Sequence, residues 1–509
     1  MKQISIQQKI IDIPGLVIAA LRGGSGKTIF SVGIISALKN LGQTIAPFKK
    51  GPDYIDTGWL ALAAGRPCYN LDTFLIKKEI VLHSFLSHIL VNDIAIIEGN
   101  RGLYDGIDLE GTTSTAELAK LLDLPVILCI NATKTTRTMA AVVSGCMQFD
   151  PDVKIKGVIL NRVAGLRHEN ILRKSIEHYC AIPVLGAVPK LSNHNFPERH
   201  MGLVPTPEHN WAKESIDAMS QVASKYIDLE QIKKITCKGI SRMAEEGDLE
   251  ESLKVRTSRD RSQKLRKLRR ISVHDPGFEK QNQKTGKDSH APIIGIIKDS
   301  AFQFYYPDNF EALVLKGAKL VFISSLENKT IPSIDALYIG GGFPETHAEK
   351  LAGNIRFKEQ LKAMAENGLR IYAECGGLMY LGEELVLKGN SYPMVGIFPV
   401  SYSFSKKPKG HGYTIISVVR ENPYFKIGTE IKGHEFHYSS VLKWRGDDND
   451  LAFSIKRGTG FINKKDGLCY KNVLATYIHI HALGTPSWAK SMVRNAIEYK
   501  ECSRSRLET

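Results

Sequence analysis

"IAALRGGSGKT", residues 18–28, decides how this chain is read. An apolar run, "GLVIAAL" (15–21), leads into the glycine-rich turn "RGGSG", and a Lys-Thr pair opens the helical stretch "TIFSVGIISALKNLG" (28–42). Strand, glycine loop and helix in that order present backbone N–H groups and a helix N-terminus to phosphate oxygens. Gly24 and Gly26 let the backbone approach the anion, Lys27 neutralises the outer phosphates, and the Thr28 hydroxyl is placed to ligate Mg2+. Leu21, however, stands where G-x-x-x-x-G-K-[ST] requires its first glycine.

Outward from this turn the pattern is α/β. The runs "TIAPF", "DIAIIEG", "PVILCIN" and "KGVILNR" are nearly continuous in apolar residues and alternate with helical stretches such as "TSTAELAKLLD". Strands apolar on both faces imply a parallel sheet between helices, with ligands at the carboxyl ends of the strands. After a polar interval the theme returns in "PIIGIIKD", "KLVFISS", "ALYIGGG" and "RIYAEC", followed by a β-rich, glycine-punctuated tail. The expected organisation is an N-terminal phosphate-binding domain over 1–237, a basic linker or insertion over 238–290, and a second α/β domain over 291–509.

The linker explains most of the net charge of +15. "KVRTSRDRSQKLRKLRR" (254–270) holds nine Lys or Arg against the single Asp260, net +8, leaving +7 for the other 492 residues. No aromatic residue interleaves with these cations as a base-stacking platform requires, so a solvated tether is expected and nucleic acid is not an expected partner. The apolar run 15–21 is too short to span a bilayer, the opening residues lack a signal-peptide pattern, and the eight cysteines include no C-x-x-C pair. A cytoplasmic protein with reduced thiols and no membrane partner is the expectation.

Two acidic stretches follow the phosphate turn. "FKKGPDYIDTGW" (48–59) offers Asp53 and Asp56 beside Lys49 and Lys50, and "IAIIEGNRGLYDG" (94–106) places Glu98 at a strand end with Asp105 beyond it. Carboxylates at such strand ends hold a cation against phosphates, so Thr28, Asp53 and Glu98 are the expected metal ligands. In the second half, "GLRIYAECGGLMYLGEEL" (368–385) reads as strand, tight turn at Cys375, and helix, a nucleophile elbow with cysteine in place of serine. A thiol at a helix N-terminus is expected to have a lowered pKa. "VLATYIHIHALG" (473–484) supplies His479 and His481 as bases on one face of a strand. "LYIGGGFPE" (337–345) ends a strand in glycines, of which Gly341 and Gly342 can supply oxyanion-hole N–H groups. "GHEFHYSS" (433–440) is not H-E-x-x-H, and on a strand His434 and His437 point to opposite faces. "DSAFQFYYPDN" (299–309) either lays aromatic rings against a flat ligand or packs in the core.

The turn "RGGSGKT" resembles the deviant P-loop of dethiobiotin-synthetase-like and partitioning ATPases, which accounts for Leu21. "FKKGPDYIDTGWLALAAGRPCYNLDTF", "IIEGNRGLYDG" and "ECGGLMYLG" together resemble the cobyrinic acid a,c-diamide synthase family, including its nickel-sirohydrochlorin branch, across both halves of the chain. The resemblance implies a dethiobiotin-synthetase-like P-loop domain fused to a class I glutamine amidotransferase-like domain. It also implies ATP and glutamine as co-substrates, Mg2+, and amidation of a tetrapyrrole polycarboxylate for cobalamin or coenzyme F430 biosynthesis, with homodimer formation left open. Asp53 and Asp105 match acidic positions around phosphate and substrate carboxylate, and Asn161 in "GVILNRV" matches an Asn that contacts the nucleotide base, though a turn-capping role fits it equally. The family's Y-x-H pattern favours His479. His481 stands where class I enzymes usually carry the Glu of a triad, so the resemblance implies a Cys375–His479 dyad. Two rivals remain: a cobyric acid synthase-like enzyme amidating another acid, and a partitioning-type ATPase, which would leave the elbow at Cys375 without a purpose.

Overall fold

The computed structural model describes residues 9–191, 198–199, 202–203, 211–237, 241–244 and 291–507. The basic run at 254–270 lies outside the described residues. Contacts divide the chain into two units, Met1–Pro276 and Gly277–Thr509.

The first unit is built on seven parallel strands: β1 (Gly15–Ala20), β2 (Thr44–Lys50), β3 (Tyr69–Leu71), β4 (Asp93–Glu98), β5 (Val126–Asn131), β6 (Ile155–Val163) and β7 (Val184–Pro189). Their spatial order is β3-β2-β4-β1-β5-β6-β7. β1 and β4 are buried at every position, as expected of strands covered on both faces. Because β1 lies between β4 and β5, the carboxyl ends of β1 and β4 are neighbours. The loop after β4 docks there, with Gly99 N donating to Ile18 O at 2.9 Å and Leu103 N to Ala20 O at 2.7 Å. Helix α1 (Lys27–Asn40) leaves the turn after β1, and α2 (Ile55–Ala64) follows β2. The runs quoted above thus match their strands and helices to within about two residues at each end, and β3, β7 and α2 are additional to them.

The second unit begins in the same manner and then changes. Ile293–Ile297, Lys319–Ile323, Ala336–Ile339, Arg370–Glu374 and Val473–Thr476 pair in parallel. From Val473–Thr476 outward the sheet turns antiparallel through Lys465–Tyr470, Leu451–Arg457, Gly410–Val418 and Glu430–His437, to His479–Ile480. The last of these strands lies five places from Val473–Thr476 in the sheet, yet only Tyr477 and Ile478 separate them in the chain. Three residues reach at most about 11 Å, so the antiparallel part must curl back on itself. His479 stands at the carboxyl end of the parallel strands, three residues beyond Thr476, and the closure brings Glu430–His437 against it. A separate four-stranded sheet is formed by Glu384–Leu387, Asn390–Pro393, Val400–Phe404 and Ser439–Trp444. Among the described residues no helix is long and apolar enough to cross a membrane.

Candidate active sites of the two units

The turn after β1 is open. Arg22, Gly23 and Gly24 are exposed, and a Cβ built on Gly23 or Gly24 meets nothing within 4 Å. Gly26 sets the entry to α1 with φ 97°, a left-handed conformation that glycine adopts without strain. A side chain there would also come within 2.6 Å of Asn161 Nδ2. That amide donates to Ser25 O at 2.9 Å, so Asn161, from the strand two places away, braces the turn. Lys27 folds back over the turn, donating to Arg101 O at 2.7 Å and Arg22 O at 3.4 Å. Burial lowers its pKa, partly offset by Glu98.

Beneath Lys27 lies a buried cluster of charges. Thr28 Oγ1 donates to Glu98 Oε1 at 2.8 Å, and Lys49 Nζ reaches the same oxygen at 2.9 Å, Asp56 Oδ2 at 2.7 Å and Gly99 O at 3.2 Å. Burial alone would lower the pKa of Lys49, but Asp56 and Glu98 outweigh it and hold the ammonium up. Burial raises the Glu98 carboxyl, with Lys49 opposing. Its second oxygen, Oε2, is buried without a hydrogen-bond partner among the described residues. Asp53 sits at the edge of this cluster. Its Oδ1 accepts from Asp56 N at 2.7 Å at the start of α2, and burial with the Asp56 charge pushes its carboxyl up to about 7. Asp105 is exposed and accepts from Gly102 N at 2.8 Å, fixing the loop after β4.

The structure therefore brings Thr28 and Glu98 together directly, sets Lys27 over the turn, and links Asp53 to them through Asp56 and Lys49. Lys49 and Asp56 were not among the expected ligands. The signal was present, because a strand covered on both faces buries both of two successive lysines, and a buried ammonium calls for a carboxylate partner.

In the second unit, Arg370–Glu374 ends at Cys375, which has φ 46° and ψ −98° and opens the helix Gly376–Leu381. This sparsely populated, positive-φ conformation costs a non-glycine residue about 1–3 kcal/mol and is held here by sheet pairing, with Cys375 N donating to Thr476 O at 2.7 Å. The thiol is buried, and Sγ lies 3.6 Å from Phe436 O. The expectation of a lowered thiol pKa is corrected. Burial pushes the thiol up, Glu345 adds to it, and the Gly376 N–H offsets only part. A six-residue helix is a weak dipole compared with complete desolvation.

His479 is buried, stacked on His434 with ring centroids 4.9 Å apart and 18° between planes. Its Nδ1 lies 3.6 Å from Glu374 Oε2. A Cβ on Gly341 would come within 2.3 Å of His479 Cε1, and one on Gly376 within 2.9 Å of Gly342 N. The turn at Gly341 and Gly342 thus lies against both the histidine and the start of the elbow helix. His481 leaves the two-residue strand His479–Ile480 and pairs elsewhere, its Nε2 3.4 Å from Asp308 Oδ2. His434 and His437 do face opposite sides: His434 stacks on His479, whereas His437 stacks on Tyr477 at 3.8 Å. The aromatic run at 302–306 is core, since Phe302, Phe304, Tyr305 and Tyr306 are all buried.

Comparison with known proteins places both units. Residues 16–204 match the CobQ/CobB/MinD/ParA nucleotide binding domain, and residues 293–487 match the CobB/CobQ-like glutamine amidotransferase domain. A protein of Magnetococcus marinus is 40% identical over 483 residues, covering 95% of this chain and 97% of its own length. One from Archaeoglobus fulgidus is 37% identical over 96% of this chain and 99% of its own. One from Listeria monocytogenes is 36% identical over 92% and 96%. Each of the three is called cobyrinate a,c-diamide synthase.

Proposed function

The chain belongs to the cobyrinate a,c-diamide synthase family of glutamine-dependent, amide-forming ligases, and on that premise we propose that it converts the a and c acetate groups of cobyrinate to amides through an acyl phosphate. The observation that carries the reading is the pairing, within one chain, of an open phosphate turn above the Thr28–Glu98 contact with a cysteine elbow whose preceding residue, Glu374, lies 3.6 Å from the buried His479.

A carboxylate is inert to ammonia until one of its oxygens becomes a leaving group. In the first unit the N–H groups of the turn and the Lys27 ammonium hold the ATP phosphates, and the γ-phosphoryl group passes to an acetate oxygen. Thr28 and the unpartnered Oε2 of Glu98 suit Mg2+, a hard cation that takes few protein carboxylates and completes its shell with phosphate and water. Bound there, it would spread the negative charge developing on the transferred group. Asn161 we assign to bracing the turn, because its amide is committed to Ser25. Asp53 and Asp105 flank the same end of the sheet and are assigned to the phosphate and substrate side.

In the second unit His479 takes the Cys375 proton, and the thiolate attacks the side-chain amide carbon of glutamine while Gly341 and Gly342 donate to its oxygen. The carbon–nitrogen bond breaks as the imidazolium returns the proton to the leaving ammonia. Water then clears the thioester as glutamate. Ammonia attacks the acyl phosphate, phosphate departs, and the cycle repeats at the second acetate. Incubating the protein with MgATP, glutamine and cobyrinate, and reading product masses, should show a mono- then a diamide. Turnover of nickel sirohydrochlorin alone would replace the substrate and keep the chemistry. ATP hydrolysis indifferent to glutamine and to either macrocycle would overturn the reading.

A further inference from the structure

We propose that Glu374, the residue immediately before the nucleophile, is the positioning residue of the glutaminase, holding His479 in the orientation that class I enzymes obtain from an acid two residues beyond their histidine. The proposal rests on the reading of Cys375 and His479 given above. Glu374 is fully buried at the end of its strand, and its Oε2 lies 3.6 Å from His479 Nδ1, itself buried. Three further donors aim the carboxylate. Tyr338 OH donates to Oε2 at 3.0 Å, Tyr372 OH to Oε1 at 3.3 Å, and Ile480 N to Oε1 at 3.1 Å. One carboxylate thereby fixes both the ring of His479 and the backbone that follows it.

The carboxylate–histidine contact made by His481 points away. His481 accepts from Leu483 N through Nδ1 at 3.3 Å and turns Nε2 toward Asp308. It therefore occupies the sequence position of the usual triad acid without contributing a charge to His479. With Nδ1 of His479 facing Glu374, its Cε1 and Nε2 edge faces the Gly341 turn, within 3.1 Å of where a Gly341 Cβ would stand. A carboxylate on Nδ1–H fixes the tautomer that leaves Nε2 as the base, which is the task of the third member of a catalytic triad. A separation of 3.6 Å is longer than a hydrogen bond, and such contacts shorten when substrate closes the site. Neutral His434, held well below the ordinary imidazole range by burial and by the neighbouring His479, His481 and His411, stacks on the ring without opposing its charge.

The test uses the full chain and reads glutamate release from glutamine beside ammonia-dependent amidation. Glu374→Gln should lower kcat for glutamine about 10²-fold, with KM for glutamine within about twofold and the ammonia-dependent rate unchanged, and Glu374→Asp should recover part of the loss. Asp308→Asn should keep kcat within about threefold. Wild-type kcat in Glu374→Gln, or equal losses with both nitrogen sources, would overturn the proposal, as would a larger loss in Asp308→Asn. If Glu374→Gln does not fold, Tyr338→Phe, which removes one donor from the carboxylate, should lower kcat severalfold at constant KM, and no change in it overturns the proposal. Cys375→Ala is run alongside: if it still hydrolyses glutamine, the reading of the nucleophile falls, whereas an inert Cys375→Ala with an unaffected Glu374→Gln removes Glu374 alone.

Discussion

The two strand–turn–helix corners to which the chemistry is assigned differ in what the turn exposes. Both leave a buried parallel strand, and both pass through a left-handed residue just before the helix, Gly26 with φ 97° and Cys375 with φ 46°. After β1 the turn runs from Leu21 to Gly26, stays open at Gly23 and Gly24, and feeds a 14-residue helix. After Arg370–Glu374 the turn is a single residue, enclosed, and the helix has six residues. A long glycine turn displays a row of backbone donors to an anion. A one-residue turn displays a single side chain and conceals the backbone. One supersecondary plan therefore yields an anion cradle or a nucleophile according to loop length and the identity of its left-handed residue.

If the two corners are chemically separate, the sharpest break is Cys375→Ala. Glutamine-dependent amidation should fall to background, about 10⁴-fold or more, while high ammonium chloride sustains turnover. Loss of both activities in a folded variant would merge the two sites into one. Glu98→Gln should lower amidation with either nitrogen source about 10²- to 10³-fold and leave glutaminase intact, because it removes charge beside Thr28 and frees Lys49 from one partner. Full turnover at saturating MgATP would show that the cation sits elsewhere.

Gly26→Ala tests the backbone role of the first corner. A methyl group at φ 97° and against Asn161 Nδ2 should distort the turn and weaken ATP binding about tenfold or more, seen as a raised KM for ATP with KM for glutamine unchanged. The smallest effect is pH dependence. Asp53, raised to about 7 from 3.8, carries a proton in the folded protein that the unfolded chain has lost between those values. Its burial therefore costs stability increasingly as pH rises through that window, and levels off above about 7. A cation favours the charged form, so MgATP should bind a few-fold tighter at pH 8 than at pH 6, with protons released only at the lower pH. Calorimetry in two buffers of different ionisation heat measures this, and Asp53→Asn should remove the part due to Asp53.

Much of the first unit was legible because most of its strands are runs of apolar residues closed by loops of charged or glycine residues, where the proposed site residues lie. What could not be read was pairing at a distance. Lys49 and Asp56 were visible in one string, but their convergence on Glu98 depends on β2 lying beside β4. Glu374 passed unnoticed as the last residue of a strand, because its partner stands 105 positions later and reaches it through the parallel pairing of Glu374 with Thr476. The strand His479–Ile480 has only two residues, so alternation along a strand did not extend to His481. The thiol of Cys375 was misjudged because local sequence reveals a helix start but not how deeply it is enclosed.

Lys49 has a further consequence for how the molecule meets its ionic surroundings. Its side chain is 2% exposed and that of Glu98 0%, so mobile ions cannot enter between them. At about 0.15 M salt, exposed charges lose sight of one another beyond roughly 8 Å, whereas this pair is separated by protein alone. Ionic strength should then act only from outside. In a salt titration of the ammonia-driven reaction, a rising KM for the polyanionic macrocycle would report its attraction to a chain of net charge +15, while a constant kcat would show the phosphate cluster keeping its own fixed medium.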